Sequence, residues 1–101
     1  MELTAETMSE TAEKASELLR VLSNQKRLLI LCKLGQGEMS VQELQDATGL
    51  GQSTVSQQLA KLRGEKLVSS RREAQSVIYA LASREVEAII ATLYSLYCSS
   101  D

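Results

Sequence analysis

The segment SVQELQDATGLGQSTVSQQLAKLR, residues 40–63, constrains this chain more than any other part of it. Ser40 followed by Glu43 has the form of a capping box, which starts a helix. Leu44 and Ala47 are expected to face inward, Gly49 to make a tight turn and Leu50 to fill the angle after it. Val55, Leu59 and Leu62 then recur at helical spacing and give a second inner face. Helix, glycine-bearing turn, helix is the helix-turn-helix arrangement.

The flanking segments complete a small fold. Residues 8–22 carry Met8, Ala12, Ala15, Leu19 and Leu22, and residues 84–98 carry Val86, Ile90, Leu93 and Tyr97. Both stripes follow a heptad-like rhythm. They predict two terminal helices that either pair with a second copy or pack only on their own core. Asn24 is a candidate N-cap and Gly35 a candidate stop for a helix over 25–34. LVSSRR and SVIYALA around REAQ predict a β-hairpin, a wing over residues 67–82, and Ser83 caps the last helix. The expected fold is therefore mainly α with a small hairpin. It is a winged helix-turn-helix in one domain, 1–101, with the order helix, helix, helix, helix, strand, strand, helix. The chain has no Phe, Trp or Pro, so the core must come from Leu, Ile, Val, Ala and Met. A chain of 101 residues is marginal as a monomer and gains from dimerisation.

Charge is unevenly placed. Residues 1–24 hold five acids against Lys14 and Arg20, a balance of −3. Residues 52–76 hold Lys61, Arg63, Lys66, Arg71 and Arg72 against Glu65 and Glu73, a balance of +3. That segment is either ordinary solvated surface or a contact for a polyanion. Gln52, Ser53, Thr54, Ser56 and Gln57 lie near the start of the second helix of the motif, the end that a recognition helix presents to the major groove. Amides and hydroxyls read base edges, and a helix N-terminus holds phosphate. Lys61, Arg63, Arg71 and Arg72 are candidate contacts of the same kind, the last two from the wing. The implied partner is double-stranded operator DNA.

Other chemistries lack their residues. The chain has no His, no Cys-x-x-Cys and no cofactor loop, so neither an enzyme, a bound cofactor nor a metal site is expected. The acidic start, MELTAETMSETAEKASELL, is unlike a signal peptide, and no apolar run reaches the roughly 20 residues of a membrane span. A cytoplasmic protein with reduced thiols and no membrane partner is expected. Of its two cysteines, Cys32 reads either as a small core residue or as part of a chemical site, and Cys98 lies in the last turn.

LSNQKRLLILCKL, SVQELQDATGLGQSTVSQQLAKLRGEKLVSSRREAQSVIYALAS and VEAIIATLYSLYC together resemble the ArsR/SmtB-type winged-helix repressors over almost the whole chain. The best-known part is S-x-x-S-Q-x-L-x-x-L, here Ser53 to Leu62. The resemblance implies a homodimer through the first and last helices that binds its operator and releases it on sensing. Many members have His where this chain has Gln58. The Cys-x-Cys of arsenic and cadmium sensors and the Asp/His set of zinc sensors are also missing. Cys32 and Cys98 are instead similar to the dithiol pair of the BigR, SqrR and HlyU-like branch. That likeness implies sensing of reactive sulfur species, with a di- or polysulfide bridge causing DNA release. A direct disulfide needs Cα atoms within about 7 Å, whereas extra sulfur atoms span more, so a wide gap selects persulfide over peroxide. Two alternatives remain: an HlyU-like anti-silencing regulator with silent cysteines, and a repressor sensing a soft metal through the dithiol.

Overall fold

Side-chain caps fix where most of the helices begin. The computed structural model describes residues 4–98. The outer residues of the expected domain, 1–3 and 99–101, lie outside the described residues. Thr4 Oγ1 accepts the Thr7 backbone N–H at 3.1 Å and opens α1 (Ala5–Leu22), earlier than the apolar stripe alone implies. Asn24 Oδ1 accepts from the Arg27 backbone N–H at 3.1 Å and opens α2 (Gln25–Leu34). The two-residue strand β1 (Met39–Ser40) leads into α3 (Val41–Thr48). There the capping box is complete: the Glu43 N–H donates to Ser40 Oγ at 3.1 Å and the Ser40 N–H donates to Glu43 Oε1 at 2.9 Å. Gly49 ends α3 at φ 76°, a left-handed conformation that favours glycine. Then come α4 (Gln52–Gly64), β2 (Val68–Glu73), β3 (Ser76–Leu81) and α5 (Arg84–Tyr97). Ser83 caps α5, and Cys98 is its C-cap rather than its last helical residue.

Three further details differ from the sequence expectation. The sheet has three strands in the order β1-β3-β2, not a two-stranded hairpin alone. Met39 pairs with Tyr79 and Ser40 with Ile78, which ties the start of α3 to the wing. A strand of two residues is too short to show an alternating pattern. Ala47 is exposed, because the inner stripe of α3 runs through Val41, Leu44 and Thr48. Gly35 is not in a left-handed conformation (φ −64°). Its importance is space, since a Cβ there would stand 2.9 Å from Ile90 Cγ2.

The core forms where α2, α3, α4 and α5 meet above the sheet. Ile30, Leu31, Leu44, Val55, Leu59, Leu62 and Val86 are its fully buried side chains. All are aliphatic, as the missing Phe and Trp require. α1 contributes only its end, Val21 and Leu22, to this core, with Leu18 half-buried beside it. Residues 5–17 of α1 are exposed throughout. The radius of gyration is accordingly 15.1 Å, against about 13 Å for a compact chain of this length.

Candidate functional site

Two regions carry the candidate residues. The first is the outer side of α4 with the wing. Val55, Leu59 and Leu62 bury the inner face of α4, which leaves Ser53, Ser56 and Gln57 on one exposed outer stripe. Gln52 is exposed beside them and Thr54 is half-buried. The structure thus brings these five residues together in the first two turns. Gly51 provides no side-chain cap, so α4 is the one helix whose N-terminal N–H groups lack a side-chain acceptor among the described residues. Open N–H groups at the positive end of a helix suit an anion. Lys61 and Arg63 are exposed but stand in the last turn of α4, with Lys61 about 13 Å along the axis from Gln52. They are not part of the N-terminal cluster.

The two wing arginines do not share a face. Arg71 pairs with Ile78 and Arg72 with Val77 across β2 and β3, and adjacent strand residues point to opposite sides. Arg71 Nη1 and Nη2 donate to the two carboxylate oxygens of Glu38 at 2.6 and 2.8 Å. Its Nη2 also donates to Glu73 at 2.7 Å. That hydrogen bonding holds the Glu38 carboxyl below the usual carboxylate range. Arg72 makes no ion pair among the described residues.

Gln58, the residue that departs from the family pattern, faces inward. Its Oε1 accepts from Arg27 Nε at 2.9 Å, and Arg27 Nη1 donates to the Val21 carbonyl at 3.4 Å. The pair ties α2 to α4.

The second region is a groove of about 430 Å³ between α2 and α5. Leu28, Leu29, Ile90, Leu93, Tyr94 and Tyr97 make it mainly apolar, and both Cys32 and Cys98 line it. Both thiols are free. Cys32 is half-buried against the core, less enclosed than a purely inward position implies. Burial pushes its thiol pKa up, a negative charge on Cys98 pushes it further, and Lys33 opposes both. Cys98 is exposed, and its N–H donates to the Tyr94 carbonyl at 2.8 Å.

Sequence reasoning missed Glu38 and the Arg27–Gln58 pair. Both join residues more than thirty positions apart, and no local spacing announces such a contact. Among the described residues, no three His, Cys, Asp or Glu side chains cluster as metal ligands. No helix there is long and apolar enough to cross a membrane.

Comparison with known proteins bears on this architecture. Residues 24–70 match the bacterial regulatory protein, arsR family. The chain is 47% identical over 94 residues to the transcriptional activator HlyU of Vibrio cholerae, covering 93% of this chain and 87% of the relative. The crystal structure of the transcriptional regulator HlyU from Vibrio vulnificus superposes with a TM-score of 0.91 at 47% identity, over 95% of this chain and 100% of that one. The transcriptional repressor BigR from Xylella fastidiosa superposes with a TM-score of 0.86 at 38% identity, over 94% of each chain. The chain therefore belongs to the arsR family of bacterial regulatory proteins: it is a winged-helix, DNA-binding transcriptional regulator and not an enzyme.

Proposed function

We propose that this regulator is a homodimeric repressor that senses reactive sulfur or oxidant species through Cys32 and Cys98, and that bridging the two sulfurs releases it from operator DNA. The supporting observation is the shared groove. Two cysteines far apart in sequence line one apolar cleft, one shielded on α2 and one exposed at the end of α5. Cys98 meets the reagent first. An organic persulfide, RSSH, passes its outer sulfur to Cys98 and leaves as RSH, giving Cys98–S–SH. Attack of this group on a second RSSH expels hydrogen sulfide and leaves a mixed trisulfide. Cys32 then displaces the second RSH and closes a trisulfide bridge. The sum is two thiols and two RSSH giving one trisulfide, two RSH and one hydrogen sulfide. With hydrogen peroxide the same thiols give a disulfide and two waters.

The fold offers a route from this bridge to DNA. A bridge fixes α2 against α5, and Arg27–Gln58 ties α2 to α4. In the proposed complex Gln52, Ser53, Thr54, Ser56 and Gln57 meet the major groove, while Lys61, Arg63, Arg71 and Arg72 meet phosphate. α1 and α5 carry the dimer contact. The long exposed part of α1 is unsupported by its own core, and an isolated helix of that length is marginal in water. Met8 and Leu19 are 54% and 56% exposed on α1, and Tyr97 is 82% exposed on α5. Release needs the bridged state to hold the two recognition helices at a spacing that binds less well, and a typical coupling lowers affinity about 5- to 150-fold.

The likeness to a protein named a transcriptional activator favours a second sign of regulation, displacement of another DNA-binding protein. In that second reading the cysteines are silent, so the sulfur chemistry separates the two. Intact mass of the reduced protein after treatment with glutathione persulfide tests it. The expected gain is one sulfur minus two hydrogens, with a peptide linking Cys32 to Cys98, absent in Cys32→Ser and in Cys98→Ser. Separate adducts with no linked peptide would contradict the bridge. An equal yield of Cys32–Cys98 bridge from peroxide would remove the selectivity for persulfide.

A further inference from the structure

The wing arginine expected to meet phosphate is already occupied. Arg71 donates through both terminal nitrogens to Glu38 in a fork, at 2.6 and 2.8 Å, and through Nη2 to Glu73 at 2.7 Å. Carboxylate and phosphate accept the same guanidinium fork in the same way, so the two compete for one set of donors. Glu73 is a neighbour on β2 itself. Glu38 comes from the connection between α2 and β1, 33 residues away in sequence. Both ion-pair partners remain about half exposed, 49% for each side chain, so an incoming phosphate has access to the fork. Arg72 points to the other side of the wing and has no such partner among the described residues.

We infer that Glu38 is an intramolecular phosphate mimic that holds Arg71 in the DNA-free protein and sets how tightly the wing grips the DNA backbone. The inference rests on the wing reading of Arg71. Glu38 is a positioning residue: it acts on DNA only through Arg71. Because a phosphate contact carries no base information, the clamp lowers affinity for all duplexes alike and leaves sequence preference unchanged. Glu38 lines a second groove, of about 590 Å³, together with Cys32, Gly35, Ile90 and Tyr94. The connection that carries the clamp therefore begins where α2 ends beside the cysteine.

The test is binding to a mixed-sequence duplex of about 30 base pairs, long enough for two half-sites, between about 50 and 200 mM salt. Wild type, Glu38→Gln, Arg71→Gln and the double variant are compared, with thermal melts to establish folding. Glu38→Gln is expected to bind about 2- to 5-fold more tightly for each clamp released. The salt dependence is expected to steepen by about 1 for each Arg71 recruited. The double variant is expected to bind like Arg71→Gln alone. Wild-type affinity and slope in Glu38→Gln would overturn the inference. So would a gain that survives in the double variant, because it would mark simple loss of a repelling charge. A wild-type protein that binds no duplex fails before any variant is compared, and overturns the wing reading beneath the clamp as well.

Discussion

Cys32 and Cys98 differ in ways that suit different parts in the proposed bridge. Cys32 is shielded, and burial is the main cause of its raised pKa, with the Cys98 charge second and Lys33 opposing. Its thiolate is therefore scarce near neutral pH, which slows direct attack on it. Cys98→Ser removes the like charge, so the Cys32 pKa is expected to fall while burial keeps it above the ordinary thiol value. The rate of iodoacetamide alkylation of Cys32, followed across pH by mass spectrometry, checks the sign. An unchanged or upward midpoint would contradict a shared site. At this scale the sequence was readable where chemistry is local. Asn24, Ser40 and Ser83 each cap a helix through a contact three residues along the chain. Glu38 was not readable, since nothing near GQGE points to an arginine on a strand folded back from far along the chain.

Among the elements, the contact between α2 and α5 holds the candidate sensing site, and Gly35 sets how closely the two helices approach. Gly35→Ala places a methyl 2.9 Å from Ile90 Cγ2, on a β-branched side chain that is itself buried. Either Ile90 or α5 must shift. The expected loss is about 1–3 kcal/mol, typical of overpacking, read as a lower melting temperature. A lower yield of the Cys32–Cys98 bridge should accompany it. An unchanged melt would show that α5 is held less closely than the geometry requires. Element identities were legible because apolar spacing reports the buried face: Val55, Leu59 and Leu62 are inside as their spacing requires. Ala47 was misassigned because a small apolar residue next to Thr48 does not reveal which of the two turns inward. β1 was missed because two residues carry no period.

Across the whole molecule, the large exposed apolar side chains and the exposed recognition-helix and wing side chains lie on different elements. α1 and the end of α5 expose apolar side chains, while α4 and the wing expose amides, hydroxyls and arginines. In the proposed complex, copies join through α1 and α5, and DNA meets α4 and the wing. Leu19→Asp is expected to sediment as a monomer where the wild type sediments as a dimer, and an unchanged dimer would move the interface elsewhere. The family was legible from sequence because its motif lies in contiguous segments. The approach of the two cysteines was legible only through resemblance, since it depends on how α2 and α5 pack. In the proposed mechanism, bridging those cysteines weakens DNA binding. The most direct measurement is fluorescence anisotropy on operator DNA with reduced and persulfide-treated protein, in wild type and Cys98→Ser. The expected result is an affinity loss of about 5- to 150-fold in wild type, reversed by dithiothreitol, and none in Cys98→Ser. Equal affinity before and after bridging of the wild type would contradict it.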